Sequence, residues 1–257
     1  MEHAATEDVG PNVAFNISAP HSSCPNGLTG VSRMNETVVS FMSDAGSLVH
    51  MDFRRPIQVV IPGTQGRILA VLAETTADLN LRTVARLANV SPAQASRVLP
   101  DLVRLGIVER RDVPPSALFR LVDDHVASRL IRALSRAREM VLDELARKAK
   151  ALDPTAVSII VFGSFARGDA DADSDLDAVV VRPHAVSDDD DRWAQAVEDW
   201  RQFARRLTGN RVEIVEATED DISRLLRSRK PLWTDIARDG IVVHGAPLDE
   251  LRARRSA

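Results

Sequence analysis

The stretch AVSIIVFGSFARGDADADSDLDAVVV, residues 156–181, decides the fold of the C-terminal half. Ala156–Phe162 is an apolar, β-branched run of the kind that forms a strand buried on both faces. Gly163-Ser164 then turns the chain into a short helical segment, FARG, and a polar loop follows. Asp175-Leu176-Asp177 opens a second buried strand, AVVV. Residues two apart on a strand share a face, so Asp175 and Asp177 place two carboxylates side by side at one end of a sheet. Like charges that close repel unless a divalent cation sits between them. Oxygen-only donors favour Mg²⁺ or Mn²⁺ over zinc. Gly163 lets the backbone approach a phosphate closely, the amides of the following turn face it, and the Ser164 hydroxyl adds a donor. A phosphate cradle beside a carboxylate pair is what a nucleoside triphosphate with Mg²⁺ requires.

Gly-Ser, ten residues, then Asp-x-Asp resembles the signature of the DNA polymerase β-like nucleotidyltransferase superfamily. The fuller text GSFARGDADADSDLD resembles its small bacterial and archaeal members, the minimal nucleotidyltransferases. The resemblance implies an α/β (α+β) fold with a mixed sheet over residues 153–246. It also implies an NTP bound at Gly163, Ser164 and Arg167, and two metals held by Asp175 and Asp177 with a third carboxylate on a later strand. After a helical segment, Asp189–Leu207, comes RVEIVEA. Glu213 sits where that third carboxylate belongs; Glu216 falls near the end of the strand. The family more often has Asp there. Asp175, Asp177 and Glu213 are therefore both the catalytic and the metal set that the resemblance implies, with Glu213 or a bound water taking the acceptor's proton. RSRKPLWTDIARDGIVVHG then reads as a basic loop, a helix from Pro231 to Arg238, and a short strand, with Trp233 in the core and residues 247–257 as a tail.

Other readings of these residues fail on spacing. The alternating acids Asp169, Asp171 and Asp173 suggest a calcium loop, but Ser174 and Val180 occupy its sixth and twelfth positions, where Gly and Glu are needed. No P-loop lysine motif and no GxGxxG is present. His184 and His244 belong to a scattered set without ligand spacing and are expected at the surface.

Upstream, residues 123–152 carry a helical period with Val126, Leu130, Ile131, Leu134, Val141, Leu142 and Leu145 on one face. Asp123 is the expected N-cap, and Asp153-Pro154 the end, of one long linker helix. Residues 56–122 read as helix, helix, turn, helix and a two-stranded wing. The first helix is capped by Thr64; the third begins at Ser91, an N-cap with Pro92 at the first helical position, and Pro100 should kink it. VARLANVSPAQASRVLPDLVRLGIVERR resembles the winged helix-turn-helix domains of bacterial transcription regulators. That resemblance implies DNA contacts from Gln94, Ser96 and Arg97 on the third helix and from Arg110 and Arg111 at the wing. Residues 1–55 show no sustained apolar period and are expected to be a disordered tail.

The 257 residues are 44% apolar and 27% charged, a globular balance. A single cysteine, Cys24, excludes an intramolecular disulfide framework and a polythiolate zinc site. No apolar run approaches the ~20 residues of a membrane span, and no signal peptide is visible, so a cytoplasmic location is expected. Residues 56–150 carry net charge +5, whereas residues 151–257 carry −6. Two modules with different partners follow. One reading is a Mg-dependent nucleotidyltransferase moving an NMP, AMP for choice, to a protein or RNA acceptor while the winged helix binds DNA as a homodimer. An antitoxin that modifies a toxin partner is one form of it. The alternative is a transcriptional regulator whose nucleotidyltransferase domain is a nucleotide sensor or a docking module.

Overall fold

A computed structural model describes residues 51–253. The tail expected over residues 1–55 lies outside them as far as residue 50. Residues 51–55 do not belong to any tail. Phe53 is buried and meets the ring of Phe165 edge-on at 4.8 Å, and the Arg54 amide donates to the Ala170 carbonyl at 3.2 Å. The sequence pattern misses this because one aromatic side chain carries the packing.

The N-terminal module begins with α1 (Pro56–Val60) and α2 (Gly63–Ala73), followed by the short strand β1 (Leu79–Asn80). Next come α3 (Leu81–Leu87), α4 (Pro92–Arg104), β2 (Val108–Val113) and β3 (Ser116–Leu121). Pro62, not Thr64, is the N-cap of α2. Asn80 caps α3, its side chain accepting from the Thr83 amide at 2.9 Å. Ser91 and Gln94 close a reciprocal capping box on α4, which runs unbroken through Pro100. The wing β2–β3 is antiparallel, and β1 joins its β3 edge. Ile68, Leu69, Leu72, Val84, Leu99, Leu102 and Leu121 make a separate core. Leu87 is half exposed.

The expected linker helix is two helices, α5 (Val126–Ser135) and α6 (Ala137–Ala149), broken at Arg136 (φ −104°, ψ 22°). The cap of α5 is His125, whose Nδ1 accepts from the Ala127 amide, rather than Asp123. The break has a packing reason. Ile131 and Leu134 of α5 join the winged-helix core, whereas Val141 and Leu145 of α6 join the sheet of the second module. One straight stripe cannot face two cores. Val126 and Leu130, placed on that stripe by the sequence pattern, are 70% and 67% exposed.

The C-terminal module contains β4 (Ser158–Phe162), α7 (Gly163–Arg167), β5 (Leu176–Arg182), α8 (Asp191–Thr208) and β6 (Val212–Thr218). It continues with α9 (Glu219–Arg227), α10 (Pro231–Asp239), β7 (Ile241–Gly245) and α11 (Leu248–Ala253). The sheet order is β6-β5-β4-β7. β5 and β6 run parallel, whereas β4 is antiparallel to both β5 and β7, so the sheet is mixed. Strand alternation divides its side chains between two faces. Ile159, Val161, Leu176, Ala178 and Val180 pack with α6 and α8 and with Trp193 and Trp200. Ile160, Phe162, Val179 and Val181 pack with α9 and α10, including Trp233.

Residues 247–257 are not simply a tail. α11 lies within them, and Leu251 is fully buried in the second face's core. Leu251→Ala should cost about 2–5 kcal/mol of unfolding free energy, the usual range for emptying a buried leucine site. Urea denaturation of the full chain checks this; an unchanged midpoint would put Leu251 outside the core.

Candidate active site and nucleic-acid interface

The end of the sheet where β4 gives way to α7 gathers most of the residues singled out in the sequence. Gly163 has φ +71°, a conformation that L side chains rarely adopt. A Cβ there would lie 2.4 Å from Asp177 Oδ2. The Gly-Ser turn and the Asp177 carboxylate are thus in contact, and glycine is what permits it. The β4–β5 register opposes Phe162 to Asp177, and the parallel β5–β6 register sets Asp177 against Glu213. Asp175 lies just before β5, its carboxylate 4.0 Å from the Arg211 guanidinium.

The electrostatics of Asp177 report the same grouping. Its pKa is raised above 3.8, first by burial and then by the charges of Asp175 and Glu213, with Arg167 acting in the opposite sense. Charge on Asp177 is therefore costly unless something positive arrives. Among the described residues, no group of three or more His, Cys, Asp or Glu side chains is gathered closely enough to hold a metal ion as it stands. Arg167 is half exposed and 3.5 Å from Asp169. Among the described residues the Ser164 hydroxyl has no protein partner.

Glu216 lies on the other face of β6. Its carboxylate accepts from Arg182 Nε at 2.8 Å and from Trp193 Nε1 at 3.1 Å. It pins α8 to the sheet. The Asp169–Asp173 loop is likewise structural: Asp171 Oδ1 accepts from Ser174 Oγ at 2.8 Å and from the Asp173 amide at 3.2 Å. Buried Asn210 holds the loop from below, donating to the Ser174 carbonyl at 2.9 Å. His184 is exposed as expected, 2.7 Å from Asp220.

Sequence reasoning missed Arg138. From α6 it donates Nε to the Phe165 carbonyl at 2.8 Å and Nη2 to the Ala166 carbonyl, both in the five-residue α7. Its guanidinium also passes under Gly168. Arg138 thus holds the helix that the Gly-Ser turn starts. A helical arginine 25 positions before Gly163 carries no sequence signal of that contact.

In the N-terminal module, Gln94, Ser96 and Arg97 are exposed on α4, and Arg110 and Arg111 on β2. Three of these side chains have structural duties. The Gln94 carbonyl oxygen accepts from the Ser91 amide at 2.9 Å. Arg110 pairs with Asp112 at 2.8 Å and Arg111 with Asp78 at 2.7 Å. A cleft of about 850 Å³ between α4 and the wing is lined by Arg82, Ser96, Arg104 and Arg110 among others. Of this cationic lining, the sequence reading named Arg110 alone.

Residues 142–236 match the nucleotidyltransferase domain family, and residues 66–112 match the IclR helix-turn-helix domain family. Three solved structures are similar in part. A mutant of the MntA–HpeT toxin–antitoxin shares 14% identity over 43% of this chain and 80% of that one, with a TM-score of 0.31. A toxin–antitoxin with AMP-PNP shares 18% identity over 44% of this chain and 80% of that one, with a TM-score of 0.30. A chain assigned as a minimal nucleotidyltransferase shares 32% identity over 42% of this chain and 91% of that one, with a TM-score of 0.27. No curated protein matches. Among the described residues no helix is long and apolar enough to cross a membrane. With the mixed sheet, the Gly-Ser turn and the winged helix in place, the chain belongs to the nucleotidyltransferase domain family through its C-terminal module, fused behind an IclR-type helix-turn-helix domain.

Proposed function

We propose that the protein transfers an NMP, AMP in the first instance, from an NTP to an acceptor hydroxyl, and that its winged helix binds DNA. The observation that carries the first part is the contact of the Gly163 turn with Asp177, beside Asp175 and Glu213. The donor set suits a hard divalent cation. Its groups are carboxylates, and the cost of charging Asp177 is what a cation relieves. Asp175 and Asp177, with Glu213, would hold Mg²⁺ or Mn²⁺, which supplies charge neutralisation at the triphosphate.

The chain's own groups do the rest. The Ser164 hydroxyl and the amides of its turn bind the β- and γ-phosphates. Arg167 adds positive charge on the same side as Asp177. Glu213 accepts the proton of the attacking hydroxyl. Arg138 is a positioning residue: it keeps the Phe165 and Ala166 carbonyls, and so the Ser164 turn, in one place. Hydrogen bonds to a charged donor are each worth about 1.5–3 kcal/mol. Arg138→Met should therefore raise the KM for NTP by roughly tenfold or more with a smaller change in kcat, and Arg138→Lys should restore part of it. Steady-state kinetics check this; an equal fall in kcat with KM unchanged would assign Arg138 a different role.

For the winged helix, Arg97 and Ser96 face outward without the pairing that occupies Arg110 and Arg111. Two copies of the chain would present two such helices to successive half-sites. Binding to the protein's own upstream DNA should weaken with salt, with a log–log slope of about −0.9 per neutralised phosphate. Arg97→Ala should lower the magnitude of that slope by about 1 if the residue contacts phosphate. Electrophoretic titration at several salt concentrations reads it. No binding at low salt would instead favour a protein-docking role for the winged helix.

A further inference from the structure

The peptide groups on either side of Asp175 are both bonded to the turn that joins α8 to β6. Gly209 ends α8 with φ 77°, and Asn210 and Arg211 lead from it into the strand. Asn210 is 2% exposed. Its Nδ2 donates to the Ser174 carbonyl at 2.9 Å, part of the peptide group that enters Asp175, and lies 3.5 Å from the Asp171 carbonyl. The Leu176 amide, part of the peptide group that leaves Asp175, donates to the Arg211 carbonyl at 2.8 Å. Because φ and ψ are the only soft backbone torsions, holding both planes fixes the direction of the Cα–Cβ bond between them. The Asp175 carboxylate is aimed by a neighbouring turn.

The loop before Asp175 braces itself. The Asp171 amide donates to Ser174 Oγ at 3.0 Å, Ser174 Oγ donates to Asp171 Oδ1 at 2.8 Å, and the Ser174 amide donates to the Asp171 carbonyl at 3.2 Å. What Asn210 adds is the tie between that loop and β6, at the residue before Asp175. Asn210 is anchored in turn: its amide donates to Thr208 Oγ1 at 3.2 Å, and Thr208 Oγ1 donates to the Ala204 carbonyl at 2.9 Å in the last turn of α8. Asn210 Oδ1 is buried with no hydrogen-bond partner among the described residues. A flipped amide would set that oxygen against two carbonyls, so the donating half is what the position uses. The ion pair of Arg211 with Asp175 is a weaker restraint. It spans 4.0 Å, its side chains are 73% and 40% exposed, and such pairs contribute little. Asp175 and Asp177 repel each other, which turns a loosely held Asp175 outward to solvent. A tether at the entering peptide opposes that turn. A ligand group already in place binds a cation more tightly than one that must first be ordered.

We propose that Asn210 is a positioning residue: it keeps Asp175 turned toward Asp177 in the free protein and so raises the affinity of the carboxylates for a divalent cation. The proposal rests on the transferase reading above and adds the residue that presets its cation site.

The full chain is compared as wild type, Asn210→Ala, Asn210→Val, Asp177→Asn and Ser158→Ala. Ser158→Ala is the control for a lost buried hydrogen bond alone. Ser158 is fully buried, its Oγ lies 3.1 Å from the His244 carbonyl and 3.0 Å from the Ala246 carbonyl, and it stands at the other end of β4 from the Gly163 turn. Each protein is titrated with Mn²⁺, the free ion being read from its electron paramagnetic resonance signal. Urea unfolding without metal is recorded on the same preparations, and transfer of label from α-labelled ATP in a cell lysate is followed against Mn²⁺ concentration. Asn210→Ala should bind Mn²⁺ about tenfold more weakly than wild type, the lower end of what loss of a residue that orients a metal-binding group costs. Asn210→Val, which fills the site without a donor, should do the same, and half-maximal transfer should need correspondingly more Mn²⁺. Ser158→Ala should lower the urea midpoint and keep the wild-type Mn²⁺ affinity. Asp177→Asn should lose the site.

Wild-type Mn²⁺ affinity in either Asn210 variant that unfolds cooperatively overturns the positioning role and leaves the transferase reading intact. An equal loss of affinity in Ser158→Ala does the same, since it would make the effect one of general stability. Mn²⁺ binding that Asp177→Asn does not remove, or no transfer by wild type at any Mn²⁺ concentration, overturns that reading itself, and the proposal with it.

Discussion

Asp177→Asn is expected to abolish nucleotidyl transfer, by at least ~10³-fold, while leaving the protein folded and more stable. The two effects share one cause. The carboxylate is half-buried, lies against the Gly163 turn, and feels both Asp175 and Glu213. Without a cation its charge is a liability; on the proposed function it would help to hold one. The amide keeps the size and removes the charge. At neutral pH the melting temperature without metal should rise by roughly 2–4 °C, the shift that about 1 kcal/mol produces in a domain of this size.

The pH dependence fixes the sign. Asp177 has a folded pKa above its ordinary value of 3.8. Below that value it is protonated in both states and contributes no penalty. As pH rises through the folded pKa, the unfolded state releases the proton more readily, and the native state loses stability. The gain from Asp177→Asn should therefore be small near pH 3 and larger at pH 7. Added Mg²⁺ and NTP should stabilise the wild type and not the variant. A variant that is less stable than wild type at pH 7 without metal would contradict this account of the site.

Gly163→Ala should have the second-largest effect. The new Cβ meets Asp177 Oδ2 at 2.4 Å, and the φ of +71° is itself strained for alanine, by about 1–2 kcal/mol. Asp177 cannot retreat far, because its backbone is fixed in register between Phe162 and Glu213. Either the turn or the carboxylate must move. A misplacement of about 1 Å near reacting groups costs on the order of 10²-fold, and that loss in kcat/KM is the expected result. Stability should fall by about 1–3 kcal/mol. Kinetics and denaturant unfolding of the same preparation separate the two. Wild-type kcat/KM in Gly163→Ala would mean that the turn does not cradle the substrate.

The fold was legible where period and chemistry coincide. Ser158–Phe162 of the first apolar run and Ala178–Val181 lie in buried strands because no other element suits short β-branched runs of that kind. Ser91-Pro92 marks the start of α4 through backbone groups that any helix start must satisfy. The break at Arg136 was not legible: residues 126–149 keep one helical period, and only the presence of two separate cores decides that it must be cut. α11 was equally hidden, since a six-residue helix with one buried leucine has no periodicity to show.

The same division runs through the candidate site. The Gly-Ser turn and the Asp-x-Asp pair sit within one local motif, and the register of β5 and β6 sets Glu213 opposite Asp177. Arg138 and Arg211 come from elements whose sequences say only that they are charged. Their roles arise from tertiary placement, where a guanidinium finds free carbonyls or a carboxylate. The pairing of Arg110 with Asp112 and of Arg111 with Asp78 is of the same kind, and it leaves Arg97 with the cleaner claim to a phosphate.

The central claim, that the Gly163 turn and the carboxylates around Asp177 perform nucleotidyl transfer, is tested most directly with position-labelled ATP. Purified full-length protein is incubated with Mg²⁺, a cell lysate, and ATP labelled on either the α- or the γ-phosphate. Transfer of an NMP predicts stable label on a macromolecule from the α-position only, the γ-label leaving as pyrophosphate, and no label of either kind with Asp177→Asn. Label from the γ-position, or α-label that survives Asp177→Asn, would contradict it.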